Sequence, residues 1–171
     1  RPLMIVGGGG WSARAVEDIR AFAEANDLPA TVSFRCQDLF DNSHKNYAGD
    51  VGIGINPPLA ERVRTADLLL VVGPRLGEMT TSGYTLVKVP VPEQTLVHVH
   101  AGIEELGRVY QAALPINAGM AEFAAAARAL KKVDSAAWRV WTKAAHADYL
   151  ANLKHPKIAG PLQMGEIMAW L

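Results

Sequence analysis

The sequence predicts an α/β fold, a doubly wound parallel sheet flanked by helices. Three observations carry that expectation. Leu68-Leu69-Leu70-Val71-Val72 and Thr95-Leu96-Val97-His98-Val99-His100 are short, nearly continuous apolar runs, the pattern of strands buried on both faces. Such runs alternate with segments of helical periodicity, as β–α–β units do. The first run, Leu3-Met4-Ile5-Val6, passes directly into Gly7-Gly8-Gly9-Gly10-Trp11-Ser12-Ala13, a glycine cluster that opens a helix.

The elements follow in order. After the glycines, Ala15, Val16, Ile19, Phe22 and Ala23 recur at helical spacing, with Glu17, Asp18, Arg20 and Glu24 on the opposite face. Ser12 is the expected N-cap, and Asn26-Asp27-Leu28-Pro29 ends the helix. Ala30 to Phe34 reads as the second strand. Residues 35–56 are polar and rich in glycine, and read as loop with a short helix and a brief strand near Tyr47. Pro58 to Thr65 forms a helix with Leu59, Ala60 and Val63 inward. Leu68 to Val72 is the clearest strand, broken sharply by Gly73-Pro74-Arg75-Leu76-Gly77. A further strand is expected at Leu86 to Val89, and the run from Thr95 to His100 leads into a short helix ending at Leu106. Ala113 to Asn117 is the last strand; Pro115 places it at a sheet edge, because proline cannot donate to a ladder. Helices then cover Ala121 to Lys132 and Ser135 to Leu153. His155-Pro156-Lys157 and Gly160-Pro161 mark a linker before a terminal helical pattern at 163–171. Both ends read as cut edges, so a piece excised from a longer protein is expected.

Composition narrows the partners. Seventeen basic residues balance seventeen acidic ones with no basic run, so the electrostatic footprint of a nucleic-acid binder is missing. Neutrality likewise gives no attraction to an anionic membrane surface, and the longest apolar stretch is far short of a bilayer span. Cys36 is the single cysteine, which excludes an internal disulfide and fits a reducing, cytoplasmic setting.

Gly8, Gly10 and Ala13 satisfy the G-x-G-x-x-G/A spacing that brings backbone N–H groups to a phosphate at a helix N-terminus. The competing reading is a tight strand-to-helix turn that binds nothing. Ligands of doubly wound sheets lie outside the strand C-termini, near the topological switch point. Those ends are the 7–12 loop with Trp11 and Ser12, Phe34-Arg35-Cys36, Gly73-Pro74-Arg75 and His100-Ala101, so a small-molecule site is assembled from them. An NAD site wants an acid after the second strand, where this chain has Arg35. Arginine suits a 2′-phosphate, so an NADP-linked oxidoreductase domain using the glycine loop is the alternative reading. His98 and His100 share one face of a strand and could begin a metal site, but no third ligand follows at fixed spacing. Asp50, set among glycines, reads as a turn carboxylate. No G-x-S-x-G, H-E-x-x-H or P-loop lysine motif occurs, and no self-sufficient catalytic set emerges.

Pro2 to Gly9, Gly49 to Gly54, Ala66 to Glu78 and Leu96 to His100 together resemble the central domain of thiamine-diphosphate-dependent enzymes, especially the acetolactate synthase large subunit and its relatives. The segment Ala66-Asp67-Leu68-Leu69-Leu70-Val71-Val72-Gly73-Pro74-Arg75-Leu76-Gly77-Glu78 is the most specific part. The resemblance implies a Rossmann-like, nucleotide-binding type of sheet with six parallel strands, over residues 1–153. Residues 154–171 are then a linker and the start of the following domain. It implies a non-catalytic central domain of a 2-oxo-acid enzyme, a transferase or lyase. The flanking pyrimidine- and diphosphate-binding domains of the parent would hold thiamine diphosphate and magnesium, the parent being a homodimer or homotetramer. Nucleotide contacts carried across fall on Gly8, Gly9 and Gly10, the Gly52–Gly54 loop, and Gly73, Pro74 and Arg75. FAD-binding members end the fifth strand in aspartates, whereas here His98 and His100 stand; ribose hydroxyls would lose charged acceptors worth roughly 1.5–3 kcal/mol each. The implied occupant is therefore FAD, ADP or no nucleotide at all.

Overall fold

A computed structural model describes residues 1–154, 159–161 and 163–171. The chain builds β1 (Pro2–Val6), α1 (Ala13–Ala25), β2 (Ala30–Ser33), β3 (Tyr47–Val51), α2 (Pro57–Thr65), β4 (Leu68–Val72), β5 (Thr95–His100), β6 (Leu114–Asn117), α3 (Met120–Ala129), α4 (Arg139–Asn152) and α5 (Met164–Trp170). Short 3-10 turns at Gln37–Leu39 and Ile103–Glu105 stand where short helices were expected. The six strands form one sheet in the order β3-β2-β1-β4-β5-β6, and every neighbouring pair is parallel. The expected six-stranded, doubly wound architecture is the observed one.

Alternate side chains leave a strand on opposite faces, and here each face has its own core. Leu3, Ile5, Leu69, Val71 and Leu96 pack with Leu59, Ala60 and Val63 of α2 and Ala145 of α4. Met4, Val6, Ala30 and Val32 pack with Ala15, Ile19 and Ala23 of α1 and Ala124 of α3. Each fully buried large side chain contributes about 1.5–3 kcal/mol, which is why the strands can be apolar throughout. Asp18 is buried between α1 and α3, and its carboxylate accepts from Arg14 Nε and from Arg128 Nη1 at 2.7 Å.

The expected strand at Leu86–Val89 does not form. β4, the strand it follows, already pairs with β1 and β5, so it has no free side for that segment, and Pro90 and Pro92 lack ladder donors. Leu86 and Val87, 3% and 4% exposed, instead plug the core beside Leu76, in place of a crossover helix between β4 and β5. Asp50 lies inside β3 and not in a turn: the strand runs on through Gly49, whose φ of +103° accompanies a register shift against β2. Pro115 sits on β6, an edge strand, as expected.

Side-chain bonds tie α4 to its neighbours. Trp138 Nε1 donates to Asn26 O at 3.0 Å, Trp141 Nε1 donates to Pro2 O at 2.8 Å, and Arg62 of α2 binds Asp148 while stacking 4.5 Å over the Trp141 ring. α5 leaves Met164, Met168 and Trp170 exposed. The linker residues His155-Pro156-Lys157 lie outside the described residues.

Candidate functional site

All strands run the same way, so all their C-termini meet at one edge. The chain winds outward from β1 to β3 and then returns to β4, next to β1, which makes the β1/β4 boundary the switch point. There the two loops touch backbone to backbone. Gly7 N–H donates to Val72 O at 3.1 Å and Gly73 N–H donates to Val99 O at 2.9 Å. A Cβ on Gly8, whose φ is +69°, would lie 2.2 Å from Gly73 O. One on Gly73, with φ of +92°, would lie 2.3 Å from Gly7 O. Only glycine permits both the dihedrals and the approach.

Gly9 and Gly10 are different. An added Cβ on either would meet nothing within 4 Å, and the same is true of Gly54. The outer half of the glycine loop therefore borders open space at the start of α1. Ser12 Oγ accepts from Ala15 N–H at 3.2 Å, the predicted N-cap, while Ala13 and Arg14 have N–H groups without intrahelical acceptors. Trp11 folds back over the loop and donates Nε1–H to Gly7 O at 2.8 Å, so its polar atom is engaged by the backbone.

β2 and β4 flank β1, and each delivers an arginine to this edge. Arg35, at a φ of +63°, lies 5.0 Å over the Phe34 ring, and Arg75 is exposed after Pro74. Among the described residues neither forms an ion pair with a carboxylate. Gly52 presses on the same segment from β3, its Cβ position 3.0 Å from Phe34 Cβ.

His98, 3% exposed, meets Pro74 O at 3.1 Å through Nε2, and burial pulls its pKa down, so it is a neutral donor beneath the loop. His100 Nδ1 lies 3.0 Å from both the N and the O of Gly102. The two rings are 6.2 Å apart with separate backbone partners, and among the described residues no group of three or more His, Cys, Asp or Glu is placed to hold a metal ion. Sequence reasoning missed a cavity of about 330 Å³ beside β4 and β5, lined by Arg75, Glu78, His98, Glu105 and Tyr110. Burial raises the Tyr110 phenol's pKa, and the Thr81 side chain beside it acts in the opposite direction. No local signal around Tyr110 announces it, because the loops that enclose it meet only after folding.

The arrangement combines an open glycine loop at the start of α1 with two exposed arginines that, among the described residues, are in no ion pair. It does not supply the carboxylates that hold ribose hydroxyls, since Arg35 ends β2 and His100 ends β5.

A six-stranded parallel sheet in this order, with a glycine loop at its switch point, defines a Rossmann-like domain of nucleotide-binding type. The chain belongs to the central-domain family of thiamine pyrophosphate enzymes, whose model, "Thiamine pyrophosphate enzyme, central domain", matches residues 1–130. Over 154 residues it is 27% identical to the acetolactate synthase large subunit of Corynebacterium glutamicum, covering 90% of this chain and 24% of that protein. It is 23% identical over 171 residues to an acetolactate synthase of Mycobacterium bovis, 100% of this chain and 24% of that one. A sulfoacetaldehyde acetyltransferase of Alcaligenes xylosoxydans is 28% identical over 153 residues, 90% of this chain and 25% of its own. The chain thus spans about a quarter of the length of the curated relatives it matches.

Proposed function

We propose that this chain acts as the non-catalytic central domain of a larger thiamine-diphosphate-dependent enzyme on 2-oxo acids, of the acetolactate synthase kind. The family match over residues 1–130 carries that reading. Residues 1–153 are the domain, and residues 154–171 are the linker and the start of the next one. The exposed Met164, Met168 and Trp170 of α5 support this, since such an apolar stripe calls for a neighbouring surface. The flanking pyrimidine- and diphosphate-binding domains hold thiamine diphosphate and magnesium, in a cytoplasmic homodimer or homotetramer. No helix among the described residues is long and apolar enough to cross a membrane.

In such an enzyme the thiamine cofactor supplies the carbanion chemistry. This chain's own residues contribute a rigid sheet and an anion cradle. The cradle at Gly8, Gly9 and Gly10, flanked by Arg35 and Arg75, takes the diphosphate of FAD or ADP, with Gly52, Gly54, Pro74 and His100 along the same edge. Without carboxylates for the ribose, affinity comes from the diphosphate.

Thermal melts with ADP, FAD and NADPH test this. A ligand at one hundred times its dissociation constant adds about 2.7 kcal/mol. ADP and FAD are expected to raise the melting temperature by about 5–11 °C for a domain of this size, and the R35A/R75A double variant is expected to lose that shift. A shift with NADPH alone would favour the oxidoreductase reading that rests on Arg35. No shift with any of the three leaves a pure scaffold. Decarboxylation of pyruvate by the chain on its own would overturn the non-catalytic reading.

A further inference from the structure

A second pocket lies away from the glycine cradle, on the open edge of the sheet. It has a volume of about 240 Å³ and is bounded by β3, the end of α4 and the segments around Gln37–Asn42 and Gly54–Asn56. Asp50 of β3 lines it, together with Tyr47, Tyr149, Asn42 and Asn56. The Asp50 carboxyl is half-buried and close enough to both phenols to raise their pKa values, although burial is the larger cause in each case. Among the described residues it forms no ion pair, and no basic side chain offsets the cost of its burial. Its one offsetting contact is its own backbone N–H, and a carboxylate taken partly out of water with no positive charge beside it is unfavourable.

The remaining lining groups show which partner would fit. Asn42 Nδ2 donates to Gln37 O and Phe40 O, and Asn56 Nδ2 donates to Asp148 O. Both amides have therefore committed donor atoms to backbone carbonyls, which leaves their oxygens as acceptors. The pocket offers a carboxylate, amide oxygens and two aromatic rings, and among the described residues that line it there is no cation. Anions are repelled by such a lining. A divalent metal would find a single carboxylate, against the several anionic ligands such ions usually take. A primary ammonium brings three donors and one positive charge, and an aromatic wall favours it further.

We propose that this pocket is a binding site for a small organic ammonium group, with Asp50 as its counter-ion and Tyr149 as its aromatic wall. The site is independent of the nucleotide reading, since it shares with the cradle only the Gly54 loop.

Calorimetric titration of the full chain with n-butylammonium and ethanolammonium chloride tests it, with 1-butanol, ethylene glycol and calcium chloride as matched probes. The ammonium probes are expected to bind, and D50N is expected to weaken them at least tenfold while its melting profile stays cooperative. Should D50N fail to fold, N42L, which removes one acceptor and narrows the pocket without touching the carboxyl, is expected to weaken the same probes. Equal binding of 1-butanol and n-butylammonium, preference for ethylene glycol or calcium, undiminished ammonium binding by D50N, or no binding of either ammonium would each overturn the assignment.

Discussion

Replacing Gly73 with alanine puts a methyl carbon into the backbone contact at the switch point. The new Cβ would stand 2.3 Å from Gly7 O and 2.8 Å from Met120 Sδ, on a residue with φ of +92°. Forcing a side chain into left-handed backbone costs about 1–2 kcal/mol. Overpacking a filled site adds about 1–3 kcal/mol, and here the first obstacle is backbone, which cannot rotate away as a flexible side chain would. The sum, about 2–5 kcal/mol, is a large part of the ~5–15 kcal/mol that holds an ordinary domain together. For a chain of this size each kcal/mol is worth about 2–4 °C, so G73A is expected to melt about 4–20 °C lower. G9A is the control in the same loop system, because nothing lies within 4 Å of its Cβ position and its φ is not in the left-handed region. Its melting temperature is expected to stay level or rise slightly, as loss of glycine freedom in the unfolded chain is worth about 0.4–1 kcal/mol. Calorimetry of both variants beside the parent decides the matter. G73A melting with the parent would refute the claim that the switch point is closed by glycine-to-glycine contact.

Asp50 gives a pH prediction. Burial raises its carboxyl pKa above the unfolded value, so the folded state binds the proton more tightly. Stability attributable to this group is then fully present in acid and is lost as pH rises through the folded pKa. D50N is expected to melt higher than the parent at neutral pH and to converge with it in acid, with Tyr47 and Tyr149 remaining protonated throughout; a constant difference at all pH values would exclude the carboxyl as its source. Arg62 gives a local one. R62M removes the bond to Asp148, 2.9 Å from Nε, and the stack on Trp141, a loss of about 1–3 kcal/mol. Amide exchange is expected to speed up across α4 first, and equal acceleration in β1 and β4 would show that α4 is not separately held.

Much of this protein was legible from local pattern. A side chain's face in a strand and the dihedrals open to glycine are local properties, so Leu3-Met4-Ile5-Val6 followed by Gly7 to Gly10 already implied a buried parallel strand and a left-handed loop. Ser12 as the cap and Pro115 as an edge marker follow from the same kind of reasoning, one from a hydroxyl accepting three residues on, the other from a missing donor. The positions of Gly8, Gly73 and Pro74 at one edge also followed, because parallel strands must end together.

What only the tertiary structure decided are the matters that depend on which partners are left over. Leu86 and Val87 have strand-like chemistry, yet β4 had no free edge for them, and burial without a ladder was the remaining way to remove them from water. Asp50 looked like a turn residue until Gly49 bent β3 and carried the strand past it. Arg62 and Asp148, separated by 86 residues, meet because α2 and α4 pack side by side. Tyr110 and the pocket around Asp50 arise in the same way. The local code sets what each segment can become, and competition for the sheet's few free edges and faces sets what it touches.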